Sequence, residues 1–186
     1  MYHPALTWIL GLKRMSNISL DLYRSCKKRD WGSRKASDNQ RAQQFLSTEG
    51  KTSLHPNYGF VRPDGSVRPS DVTTFRSGNE TWVRGVDDVK PDGTHWVSSK
   101  EGVSVGSTKG AMSYAKGWLD FLLPKGTPIP ASLDVKHTPS KSNPDHYSIR
   151  CKNQMTQEAF HGALDTLARN ALAKAVELNV PTHYFS

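Results

Sequence analysis

The chain has 186 residues, of which 35% are hydrophobic, and it carries a formal net charge of +8 with a pI near 9.6. That length suits one domain with a real core, while the low apolar share leaves much of the chain to surface or irregular structure. The charge admits nucleic acid, an acidic protein or a phosphate-bearing ligand as partner and does not choose among them. Two cysteines, Cys26 and Cys151, are too few and too far apart for a disulfide framework or a zinc pattern, and they point to a reducing compartment.

The first stretch, "MYHPALTWILGLKRM", holds an apolar piece from Ala5 to Leu12 broken by Gly11. It is too short to cross a bilayer. Lys13 and Arg14 follow the apolar run, the reverse of a Sec-type signal peptide. We expect residues 1–14 to be an extension and residues 15–186 to form a single domain, with no membrane span. The expected location is the cytoplasm.

Residues 18–26 read as the first strand. Ile18, Leu20 and Leu22 alternate onto one face, and the next residue on that face is Arg24. A guanidinium is costly to bury alone, so its position there needs a reason. Residues 27–50 are polar, with a helix expected around Lys35–Leu46 on the apolar stripe of Ala42, Phe45 and Leu46. Residues 51–95 are dense in Pro, Gly, Asp and Ser, which makes turns and short extended pieces, anchored by Phe60, Phe75, Trp82 and Val83.

Downstream the chain looks β-rich. Short strands are expected at His95–Ser98 and Val103–Val105, a longer one at Trp118–Leu123, and two more in "SLDVKHT" and "DHYSIRCK", joined by the hairpin loop "PSKSNP". The clearest helix comes last. Phe160, Ala163, Leu164, Leu167, Ala171, Leu172 and Ala175 recur at helical spacing, with Thr156 as N-cap and Glu158 in the first turn. It should stop near Asn179, ahead of Pro181.

Several chemistries are set aside. "GSTKGA" lacks the frame of a phosphate-binding P-loop, and no GxGxxG opens a helix. There is no HExxH and no paired-cysteine metal pattern. "GVSVG" has the letters of a nucleophile elbow, but no helix follows it. What remains is a set of polar groups on strands: Arg24, Ser104 in "EGVSV", and His146 at the head of "HYSIR". Each alone reads as ordinary: an edge arginine paired with a carboxylate, a small strand residue, a strand-capping histidine. Together they suggest a pocket. An arginine fork binds phosphate, a serine hydroxyl orients a ribose or the arginine, and Tyr147 can stack on a nicotinamide ring.

The chain is similar to the Tse-type toxins exported by bacterial type VI secretion, whose fold looks like that of ADP-ribosyltransferases. The resemblance rests on "SLDLYRS" (19–25), "LHP" (54–56), "EGVSV" (101–105), "LLPKGTPIPASLDVK" (122–136), "HYSI" (146–149) and "LDTLARNALAKAVE" (164–177), in that order. It implies an α+β domain of two packed, mostly antiparallel sheets with flanking helices and a C-terminal helix. It also implies an NAD-shaped cleft, a toxin acting on a macromolecular acceptor inside a cell, and a cognate immunity protein. The resemblance to the broader ADP-ribosyltransferase fold implies a strand-borne arginine or histidine that holds NAD, matched by Arg24, and a second-strand serine or tyrosine, matched by Ser104. Glu158 is the nearest carboxylate for the nicotinamide ribose, with His146 replacing or supporting it. The leading expectation is an NAD-dependent mono-ADP-ribosyltransferase. The alternatives are an NAD glycohydrolase, or a non-catalytic toxin that binds nucleic acid or a partner. The basic run "KKRDWGSRK" motivates the nucleic-acid reading.

Overall fold

The apolar runs of the sequence pair into one large sheet. A computed structural model describes residues 16–27, 54–61, 63–98, 101–111 and 118–185. In chain order its elements are β1 (Leu22–Lys27), β2 (Phe60–Val61), β3 (Val67–Arg68), β4 (Thr74–Ser77), β5 (Glu80–Val83), β6 (Val103–Gly106), β7 (Trp118–Leu123), β8 (Leu133–His137), β9 (His146–Cys151), β10 (Met155–Thr156), the helix α1 (Gln157–Glu177) and β11 (His183–Phe185). Six strands form an antiparallel sheet in the order β11-β7-β1-β6-β9-β8. A second antiparallel sheet has the order β10-β5-β4, and β2 and β3 make a small ribbon.

One face of the large sheet carries Leu22, Val103, Val105, Phe121, Leu123, Leu133 and Ile149, all buried. Against it lie Phe160, Leu164, Leu167, Ala168 and Ala171 of α1, and Val83 of β5 joins the same core. Each large side chain fully buried here is worth about 1.5–3 kcal/mol. The helix begins as its sequence dictates: Ala159 N donates to the Thr156 hydroxyl at 3.2 Å, and Glu158 sits in the first turn. It ends in a Schellman arrangement, with Val180 N bonded to Ala175 O, Asn179 N bonded to Val176 O, and Asn179 at φ 52°.

Most elements agree with expectation, and the differences have local causes. The first strand begins at Leu22, not Ile18. Residues 16–18 instead bond the turn after β7, with Ile18 N to Thr127 O at 2.9 Å and Ile129 N to Ser16 O at 2.8 Å. His95–Ser98 makes no strand. An Asp92-capped turn precedes it, and only His95 bridges, to Val89. β10 and β11 are too short to show a period of two. Val83 anchors the central loop by full burial, and Phe75 and Trp82 are half-buried. The helix expected at 35–46 and the extension at 1–14 lie outside the described residues.

Candidate active site

β1 behaves differently on its two sides. It pairs with β7 over six positions, from Leu22–Leu123 to Lys27–Trp118, but with β6 only at Tyr23–Gly106. Past that pair the strands part, and Arg24 is the next residue. Its Nη1 donates to the backbone oxygen of Ser104 at 2.7 Å, and its Nη2 lies 3.9 Å from Asp71 Oδ2. The two side chains are 15% and 12% exposed. An apolar strand face can therefore end in a guanidinium, because the split supplies a strand carbonyl and a carboxylate as partners. Asp71 is itself set by Asn57 N, which donates to its Oδ2 at 2.9 Å, and its backbone oxygen accepts from Gly102 N at 2.7 Å. Gly102 has φ 139°, and a Cβ there would stand 2.6 Å from Ile149 O, so the start of β6 requires glycine.

The other face of β6 is polar. Ser104 stands opposite Ser148, and Gly106 opposite His146. His146 Nε2 is 3.0 Å from Ser104 Oγ. On its far side, Nδ1 is 3.1 Å from the Thr138 carbonyl and 2.7 Å from the Thr138 hydroxyl, which in turn meets Ser148 Oγ at 2.8 Å. A carbonyl can only accept, so Nδ1 carries the ring proton and Nε2 presents a lone pair. The Ser104 hydroxyl then donates to His146, which leaves the serine oxygen electron-rich. Burial holds the His146 pKa below its ordinary 6.5, outweighing the Thr138 carbonyl and Asp71, which favour the charged ring. The neutral imidazole assigned here is therefore the form present at pH 7.

Arg24, Ser104 and His146 thus meet around one residue of β6. The other two expected site residues sit elsewhere. Tyr147 alternates to the face of β9 opposite His146, across from Val105 and on the side of the sheet that carries Arg24, and its ring lies 4.6 Å from that of His137 and not beside the Ser104 hydroxyl. Glu158 is exposed in the first turn of α1. It lines an open groove with Glu80, Thr81, His161 and Asp165, and among the described residues no hydrogen bond or ion pair ties it to Ser104 or His146. Beside that groove, Tyr58 OH and His161 Nε2 are 2.6 Å apart, and His55 stacks on His161 and meets Asp165 at 2.8 Å.

Sequence reasoning missed Asp71, Thr138 and Ser148. Thr138 and Ser148 flank the hairpin that carries His146, so a polar pair bracketing a histidine hairpin was their available signal. Asp71 lies in a turn-rich loop and had none.

The chain matches the Tse2 ADP-ribosyltransferase toxin family over residues 20–176. It belongs to that family. Toxin Tse2 from Pseudomonas aeruginosa is 32% identical over 128 residues, which is 67% of this chain and 79% of that protein. The family membership bears out the α+β fold and an ADP-ribosyltransferase toxin as the function, and so an enzyme. The matched span contains β1, β6, β9 and nearly all of α1, and with them Arg24, Asp71, Ser104, Thr138, His146, Tyr147, Ser148 and Glu158. No helix among the described residues is long and apolar enough to cross a membrane.

Proposed function

We propose that the split between β1 and β6 is the NAD site, and that Arg24, Ser104 and His146 cleave the nicotinamide–ribose bond for transfer of ADP-ribose to a macromolecule. The observation that carries this reading is the meeting of all three on one residue of β6: guanidinium on its carbonyl, imidazole on its hydroxyl. NAD needs a cation near its pyrophosphate and an electron-rich group near the ribose, and those two chemistries stand on either side of the split.

In the reaction the N-glycosidic bond breaks, its electrons leave with nicotinamide, and positive charge grows on the ribose. The Ser104 oxygen, with its proton committed to His146 Nε2, turns a lone pair toward that charge. No covalent nucleophile is required, because the rate gain comes from position and preset electrostatics. The acceptor then attacks the ribose carbon and gives up its proton to solvent water. Arg24 holds the edge of β6 and offers its positive charge to the pyrophosphate. The family membership supports further partners: a macromolecular acceptor in the cytoplasm of a target cell, and a cognate immunity protein that protects the producer.

Incubating the purified chain with NAD labelled in the adenylate portion, with and without cell lysate, tests the reading. Label on macromolecules and release of nicotinamide are expected. Free ADP-ribose alone would make the protein a hydrolase, and intact NAD under both conditions would overturn the site.

A further inference from the structure

Asp120 lies in the middle of the apolar run "WLDFLL" and is 0% exposed. A carboxylate at such a position is costly unless donors meet it. Two do, and they come from opposite sides of the split. Ser25 on β1, next to Arg24, donates its hydroxyl to Oδ1. Gly110, four residues past the end of β6, donates its backbone N–H to Oδ2 at 2.8 Å.

The register fixes where this happens. Tyr23 faces Gly106, and Ser25 faces Asp120, so Ser25 and Asp120 share the face that carries the Ser104 hydroxyl and His146. The chain leaving β6 is fastened first to the β9 side. Ser107 N donates to Asp145 O at 3.0 Å, and the hydroxyls of Ser107 and Thr108 reach the Asp145 carboxylate at 3.3 and 2.9 Å. It then turns at Gly110, φ 79°, and drops onto Asp120 on the β7 side. Ser107–Gly110 therefore runs from the end of β6, where it is tied to β9, across β1 to Asp120 on β7. One aspartate anchors each end, and the residue after Asp145 is His146.

We propose that Ser107–Gly110 is a strap forming one wall of the NAD cleft, and that Asp120 is the positioning residue that holds it down. This rests on the NAD site argued above and adds to it a wall and a latch. Asp120 touches no reacting atom. Its effect is on the fraction of molecules whose cleft is formed before NAD arrives. A lower formed fraction weakens apparent NAD affinity in proportion and leaves the saturated rate in place.

The test uses the full chain and two variants. Asp120→Asn keeps the shape of the side chain, but its amide oxygen can serve only one of the two donors. Thr108→Val weakens the other anchor by removing the hydroxyl on the Asp145 carboxylate, at an exposed residue where loss of folding is not at issue. Amide hydrogen exchange without NAD should show Gly110 exchanging at least about tenfold faster in Asp120→Asn, with β6 and β9 amides unchanged. The KM for NAD should rise about 5–20-fold while kcat stays within about threefold, and Thr108→Val should show a smaller rise. A wild-type chain that does not turn over NAD overturns the NAD site and the wall together. An active wild type whose two variants keep the wild-type KM overturns the wall alone. Unchanged Gly110 exchange in a folded Asp120→Asn removes the latch. If Asp120→Asn does not fold, Thr108→Val decides.

Discussion

The two edges of β1 teach what a site costs in backbone pairing. Toward β7 the ladder runs through all six residues and places Leu22, Cys26, Leu119, Phe121 and Leu123 in the core. Toward β6 it stops after one pair, and side chains take over: Arg24 on a strand carbonyl, Ser104 on His146, His146 on Thr138. The first edge is held by burial and the second by polar contacts. Substitutions on the β7 side should therefore cost stability, and substitutions on the β6 side should cost activity first.

The largest stability effect is expected at Phe121, fully buried at the centre of the paired edge. Phe121→Ala should lower unfolding free energy by about 3–5 kcal/mol, read by denaturant titration. A loss below about 1 kcal/mol would mean that the paired edge is not where the core lies. At the split, Arg24→Ala leaves the Ser104 carbonyl and Asp71 without their partner, at about 1–3 kcal/mol. NAD cleavage should fall at least about 100-fold, the size of effect seen when a preset charged or donor group is removed. Full activity from a folded Arg24→Ala protein would take Arg24 out of the site. Ser104→Ala keeps the carbonyl that Arg24 uses and removes only the hydroxyl. It should lose about 100-fold in rate with stability changed by less than about 1 kcal/mol.

His146 sets a pH dependence. Its folded pKa lies below the ordinary 6.5, so below pH 6.5 the unfolded chain binds the proton more readily than the native one. Its contribution is fully present above that value and is lost as pH falls through 6.5 toward the folded pKa. Activity should show an acid limb with a pKa below 6.5, and His146→Gln should abolish that limb. A limb that persists in the variant would assign it to another group. The smallest effect is expected at Glu158. In the first turn of α1 it favours the helix dipole, so Glu158→Gln should cost under about 1 kcal/mol and leave NAD cleavage within a few-fold. A 100-fold loss without a change in melting would return Glu158 to the site.

The sequence makes the paired edge far more legible than the split. Trp118–Leu123, the 139–144 hairpin and α1 with its Thr156 cap follow from local pattern, because burial on one face imprints a period on the residues themselves. Arg24 announced itself for the same reason: it breaks an apolar alternation. Ser104 and His146 carried no such local mark and gained weight only through resemblance and as a set. Asp71 was invisible, since its role is to sit beside a residue 47 positions away in the chain. Asp120 stands as a lone carboxylate in an apolar strand and was not singled out, since the donors that give it a role come from segments that only the fold brings together.

The most direct test of the split as the site is a crystal structure of the chain with NAD bound. The nicotinamide ribose should lie against Ser104 and His146, with the pyrophosphate beside Arg24. NAD seated in the groove at Glu158 and His161, with the split closed on itself and the Arg24–Ser104 and Ser104–His146 contacts undisturbed, would contradict it.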